Sequence, residues 1–455
     1  MPRRLATAAV LALVAVAASG CTAWWRGTTR SYHVAPSGLP WGEEFVRRAL
    51  VLGAFDQALA RTRPDADGAP PDALLRALFQ GQVAYHAGHW EESGRAFAEA
   101  DRLTERRYTR SASRGVLSLL TNDHALLYVP TRTERLFSRY YAMMGRLQSG
   151  DLLGATVDAR RLAALLEETA SELDVAERGT HAMLREIVGA VFEAAGEWND
   201  AGVAYRNAAL LRGLPREAVA LISASPPPGD SATVVLVLES GFAAHAVSRT
   251  VAIPVGQQAG PPVVTPSQWL TALDAVPEGG VFDEEPEAPM ASPVAELGEV
   301  LHPVSAPWTP RRRGTTRYLG DRRSYRQWME ISWPALVRPL LPSAAVHLAL
   351  SGGGADVPPW NRTAAVGEAP GWVADISDAL GADARRLRGV RLARLTARTV
   401  SRLAVVEALD EQHGAAVGAL AGLAASAMER ADTRGWHLLP GRVALIRVTV
   451  PAGEV

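Results

Sequence analysis

The chain has 455 residues, 47 basic against 48 acidic side chains, a net charge of −1 and 48% hydrophobic residues. That length suggests two or three domains, and that balance excludes a nucleic-acid surface built on a domain-wide basic excess. The basic residues are all arginine, which a G- and C-rich coding sequence explains without any phosphate-binding role. With Cys21 as the one cysteine there is no intramolecular disulfide, so the core alone holds the fold.

Arg3 and Arg4 precede a largely apolar run, Leu5 to Ala17, and small residues Ser19 and Gly20 lead into Cys21. This is the pattern of a secretory signal, shorter than the about 20 residues a spanning helix needs. Small residues directly before a cysteine resemble the bacterial lipobox, although Ala18 stands where leucine is usual. The resemblance implies a signal peptide over residues 1–20, lipidation of Cys21 and a tether over 21–40. Thr22, in place of an aspartate, points to the outer membrane by the sorting pattern of such lipoproteins, facing the periplasm.

Residues 41–222 read as helical. GQVAYHAGHWEESGRAFAEA places Gly81, Gly88, Trp90, Ser93, Phe97 and Ala100 at the spacing of a tetratricopeptide repeat. GAVFEAAGEWNDAGVAYRNA repeats it with Gly189, Gly196, Trp198, Ala201, Tyr205 and Ala208. Shorter echoes at Gly53, Phe55 and Ala58 and at Gly150, Leu152 and Ala155 complete four expected hairpins between Trp41 and about Leu214. The stretch 118–144 is expected to interrupt the array as a crossing loop. Its polar cluster Thr121, Asn122 and Asp123 is a candidate partner-binding site, with turn or cap chemistry as the competing explanation.

After SASPPPGD, residues 223–230, the period changes. TVVLVLESG and HAVSRTVAIPV read as strands of a smaller mixed α/β domain over 231–455. A stretch rich in proline and charge at about 256–326 reads as an insertion. SAAVHLALSGGG reads as a strand ended by a glycine turn, and the span from Trp372 to Leu409 as one long or twice-broken helix. On it Arg391, Arg394, Arg398 and Arg402 share a face opposite Leu392, Leu395, Leu403 and Val406, a basic stripe that could meet anionic lipid or an acidic partner, with a solvated face over a core-packing seam as the competing explanation. Gly414, Gly418 and Gly422 suggest a second, closely packed helix, and Val443 to Val450 alternates as a closing strand. The fold class expected is therefore α+β: an all-α tetratricopeptide-like array followed by a mixed domain with a long C-terminal helix.

LSLLTND (117–123), AGEWNDAGVAYRNA (195–208) and above all AASAMERADTRGWHLLPGRV (424–443) resemble a family of uncharacterised bacterial outer-membrane lipoproteins with N-terminal tetratricopeptide-like helices. The resemblance spans nearly the whole mature chain apart from the insertion. It implies no catalytic residues, and an association with wall synthesis or envelope assembly.

The catalytic signals that could have stood against this are weak. There is no GxSxG turn. His86 and His89 lack a third ligand at recognisable spacing, so no metal site is expected, and SGGGAD at 351–356 lacks the Lys-Ser/Thr of a phosphate loop. No cofactor is expected. The expected function is a non-enzymatic, lipid-anchored adaptor that binds envelope proteins. The alternative is a peptidoglycan- or glycan-binding protein, or a wall enzyme, with a site between the two domains.

Overall fold

The computed structural model describes residues 37–66, 69–111, 127–227, 231–255, 282–283, 316–318, 327–339, 347–352, 360–365, 371–413 and 431–451. Over these residues the protein is a helix-rich α+β structure. Eight helices form four consecutive hairpins: α1 (Trp41–Val51) with α2 (Phe55–Arg61), α3 (Ala73–His86) with α4 (Trp90–Ser111), α5 (Arg132–Gln148) with α6 (Leu152–Glu168), and α7 (Arg178–Ala194) with α8 (Trp198–Leu211). A short α9 (Arg216–Ala220) follows.

The four hairpins turn in the same way. Gly53, Gly88, Gly150 and Gly196 adopt φ of 70°, 77°, 79° and 75°, a left-handed conformation that costs a residue with a Cβ about 1 to 2 kcal/mol. Each glycine lets the next N–H reach back to a carbonyl five residues earlier: Ala54 to Ala49, His89 to Ala84, Asp151 to Arg146 and Glu197 to Phe192, at 2.8–2.9 Å. That bond satisfies an orphan carbonyl at the end of the first helix. The second helix then opens on Phe55, Trp90, Leu152 or Trp198. One turn further in it presents Ala58, Ser93, Ala155 or Ala201, each fully buried.

Within two of the hairpins a glycine faces an aromatic ring. A Cβ on Gly81 would stand 2.9 Å from the ring of Phe97, and one on Gly189 would stand 2.5 Å from that of Tyr205. At the corresponding places of the third hairpin the bulk is exchanged, with Met143 on the first helix and Ala159 on the second, both fully buried.

Residues 118–126 of the expected crossing loop lie outside the described residues, and from Arg132 onward the stretch is helix, because α5 begins there. The reason is a capping box. Thr131 Oγ1 accepts from the N–H of Glu134 at 3.3 Å, and the Glu134 carboxylate accepts from the N–H of Thr131 at 2.6 Å.

The strands are β1 (Ser231–Ser240), β2 (His245–Val255), β3 (Phe282–Asp283), β4 (Thr316–Tyr318), β5 (Gln327–Arg338), β6 (His347–Gly352), β7 (Trp360–Ala365), β8 (Gly371–Asp375) and β9 (Arg442–Pro451). They form a three-stranded sheet β1-β9-β8, a four-stranded sheet β3-β5-β2-β4 and the hairpin β6-β7. The described parts of the insertion, β3 and β4, are the short edge strands of the second sheet.

One expectation is corrected here: Trp372 to Asp375 is strand, not the start of the long helix. It pairs antiparallel with β9, Trp372 opposite Leu445 and Ala374 opposite Val443. The chain turns into helix only where Asp375 Oδ1 accepts the N–H of Ser377 at 3.0 Å. From there α10 (Ile376–His413) runs as a single helix. The glycine ridge at 414, 418 and 422 lies outside the described residues, and no described helix is long and apolar enough to cross a membrane.

The core is continuous across the change of period at 223–230. One buried cluster runs from Val46 and Leu74 through Phe137, Tyr141 and Val188 to Ala374, Ile376, Trp436, Leu438, Leu439, Val443 and Leu445. Gly81→Leu and Gly189→Leu are each expected to cost about 1 to 3 kcal/mol through overpacking against Phe97 and Tyr205, read as a lowered thermal midpoint. An unchanged midpoint in both would contradict the ring contacts.

Candidate functional site

The densest polar chemistry of the described residues lies along the seam where residues 431–447 run across the first helices of the hairpins. Residues 431–441 form neither helix nor strand, so their backbone groups need other partners. Helix side chains provide them. Arg47 Nε on α1 donates to the carbonyl of His437 at 2.7 Å, Gln82 Nε2 on α3 donates to that of Leu438 at 2.8 Å, and Glu134 on α5 accepts from the N–H of Trp436 at 2.7 Å. On α7, Glu193 pairs with Arg447 of β9 at 2.7 Å.

At one end of the seam sits a buried charged group. His437 Nδ1 donates to the Glu43 carboxylate at 2.5 Å, and the guanidinium of Arg47 lies over the ring of Phe242 and 3.5 Å from His245 Nδ1. Because Arg47 can only donate, His245 Nδ1 must accept, and its Nε2–H donates to the carbonyl of Ser37 at 2.7 Å. That fixes a neutral imidazole. Burial, with help from Arg47 and His437, pushes the His245 pKa down to about 3.

In the middle of the seam Glu239, at the end of β1, accepts from Tyr140 at 2.7 Å and from Tyr141 at 2.8 Å. Gln82 also donates to the Tyr141 hydroxyl, at 2.9 Å, and His86 Nε2 stands 3.8 Å from the Glu239 carboxylate. Burial raises the Glu239 pKa against the pull of the two hydroxyls, and raises both tyrosines well above their usual value. His86 is lowered to about 4 by burial. Around them Tyr85, Trp90, Phe97, Tyr141 and Trp436 pack edge-to-face or tilted, with Phe97 and Tyr141 stacked.

At the far end α10 docks onto the array. Asp383 accepts the N–H of Thr133 at 2.8 Å and so caps α5 from a distant part of the chain. Arg386 bridges Asp383 and Glu177, and Arg385 pairs with Asp174 at 3.1 Å.

The residues singled out by sequence fall mostly elsewhere. Cys21 and the cluster Thr121, Asn122 and Asp123 lie outside the described residues. Arg391 is exposed and Arg394 half-buried on α10, and Arg398 lies further along the same helix. His86 and His89 do not converge: His86 faces Glu239, while His89 stands 3.8 Å from Glu92. Among the described residues no group of three or more His, Cys, Asp or Glu is placed to hold a metal.

Sequence reasoning missed Glu43, Arg47, Gln82, Glu134, Glu239 and His245. Their partners are up to 394 residues away, and no local spacing announces them. The one available signal was ADTRGWHLLPGRV, a stretch without helical or strand period yet rich in large apolar residues. In chemical terms the arrangement fastens a non-repetitive segment to three helices and the strand after it to a fourth, and most of its titratable groups are neutralised or paired.

Comparison with protein families, with curated proteins and with solved structures finds no match.

The His245 environment has a consequence for stability. Its folded pKa lies far below the 6.5 of the free side chain, so the unfolded chain binds the proton more readily and stability is lost as pH falls below about 6.5. The wild type is expected to be less stable at about pH 5 than at neutrality by about 2 kcal/mol on account of this one group. In His245→Gln that slope should shrink by the same amount, as measured by urea unfolding at the two pH values.

Proposed function

We propose that the protein is a non-enzymatic, lipid-anchored adaptor of the bacterial envelope, facing the periplasm from the outer membrane through an acylated Cys21. Its tetratricopeptide-like array serves as a scaffold for envelope proteins engaged in cell-wall or envelope assembly. The observation that carries this reading is the fourfold recurrence of one hairpin turn at Gly53, Gly88, Gly150 and Gly196, which builds a rigid stack of like units. Such stacks expose long surfaces, and binding is what long surfaces suit.

The first-helix side of the stack is taken by residues 431–447, so the surface left for a partner is that of the second helices and the hairpin turns. Apolar side chains stand exposed there, among them Leu153 at 83% and Val203 at 42%. A glycan or catalytic site between the two halves would compete for the seam with Trp436, Leu438 and Leu439, each at most 2% exposed. The packed seam therefore favours the adaptor.

Acylation is tested by Cys21→Ser. The variant is expected to lose incorporation of labelled fatty acid and to leave the outer-membrane fraction; fractionation like the wild type rules out the anchor. Partner binding is tested by placing photo-crosslinkers at Leu153 and Val203 and at buried Leu438. Discrete crosslinked proteins from the two exposed sites and none from Leu438 support the adaptor. Retention by purified peptidoglycan with no protein crosslinks supports the glycan reading instead.

A further inference from the structure

Strand edges carry unpaired backbone donors and acceptors, and proteins usually protect them with short edge strands, charges, prolines or bulges. Three of the described sheet edges follow that rule. The four-stranded sheet ends in β3 and β4, of two and three residues. In the other sheet β8 has five residues and packs against α7. β1 does not follow it. It is a ten-residue edge strand, SATVVLVLES, paired with β9 in unbroken register from Ser231 opposite Pro451 to Ser240 opposite Arg442. Among the described residues no strand pairs with its outer edge.

The composition of β1 removes every usual deterrent. It holds no proline and no bulge, and its one charge, Glu239, is turned inward onto Tyr140 and Tyr141. Val235 and Val237 lie on that same inward face against the core, while Val234, Leu236 and Leu238 point the other way and stay half-exposed.

We infer that β1 is a dimerisation edge, where a second copy of this chain adds its own β1 antiparallel across a two-fold axis through Leu236. In this register Val234 meets Leu238 of the second copy, Val235 meets its Val237, and Glu239 meets its Thr233, so apolar residues face apolar ones and no like charges oppose. Both inward faces stay on the same side, and the two sheets join as β8-β9-β1-β1-β9-β8. With Glu239 turned inward, the edge offers only apolar and small polar side chains, and β1 of a second copy is a strand of the same length and the same character. The contact is isologous, hence closed at two copies rather than growing into a fibre. The inference is independent of the anchor and of the adaptor reading.

The chain's single cysteine makes the test direct. In a Cys21→Ser background, Leu236→Cys places two thiols opposite each other across the axis. Cross-strand Cα separations of about 4.5 to 5.5 Å fall within disulfide range. A disulfide-linked dimer is expected on mild oxidation, with none for Val203→Cys on the outside of α8. Adding Val234→Lys to the Leu236→Cys chain should abolish the crosslink, while the circular dichroism spectrum and a cooperative melt show that the fold is kept. Sedimentation of the Cys21→Ser chain should give a dimer. A monomer overturns the inference, and so does a dimer unaffected by Val234→Lys in a chain that still melts cooperatively.

Discussion

Residues 436–438 present backbone N–H and C=O groups to the protein interior without any ladder of their own, and Glu134, Arg47 and Gln82 satisfy them. A buried backbone group left unpaired costs about 1 to 3 kcal/mol, so each of these side chains decides whether the segment can lie where it does. Trp436, Leu438, Leu439, Val443 and Leu445 add about 1.5 to 3 kcal/mol apiece by filling the face of the first helices. The hairpin stack and the β1-β9-β8 sheet thus meet on one strip of chain. Its first half is held by helix side chains, and its second half is the central strand of the sheet.

That arrangement explains where the charged residues sit. Glu43 and His437 are buried as a pair, Arg47 is buried with its guanidinium on the carbonyls of His437 and Ala243, and His245 joins them only in its neutral form. Glu239 is largely withdrawn from solvent where two tyrosine hydroxyls converge on it, and the cost of that desolvation appears as a raised pKa. Asp383 and Arg386 extend the same logic to α10, whose first turns cap α5 and pair with Glu177. Polar contacts of this kind add little net stability but are specific: they allow one position of the C-terminal segment against the helices and penalise its neighbours.

The hairpins contribute rigidity of a different origin. Their turns rest on a left-handed glycine and one reach-back bond, and their close approach rests on exchanging bulk between paired positions, Gly81 with Phe97 in one hairpin and Met143 with Ala159 in another. Exposed apolar side chains such as Leu153 and Val203 stand on the second helices of two hairpins. A partner surface of that form is compatible with β1 pairing at the other side of the sheet, since the two surfaces use different elements.

Local chemistry was legible in the sequence wherever one short stretch sufficed. Glycine followed two residues later by a large apolar residue, with a small residue three further on, marked all four hairpin turns; a continuous apolar run marked β1, and alternating apolar residues marked β2 and β9. Where a helix begins is also local, and the capping box is written in Thr131 and Glu134; Trp372 to Asp375 carries no strand pattern of its own, because its strand character comes from its pairing with β9. The seam belongs wholly to tertiary structure. Glu43 gains meaning only from His437, Gln82 only from Leu438, and Glu239 only from Tyr140 and Tyr141, because a desolvated polar atom is defined by whatever distant group the fold brings within hydrogen-bond reach.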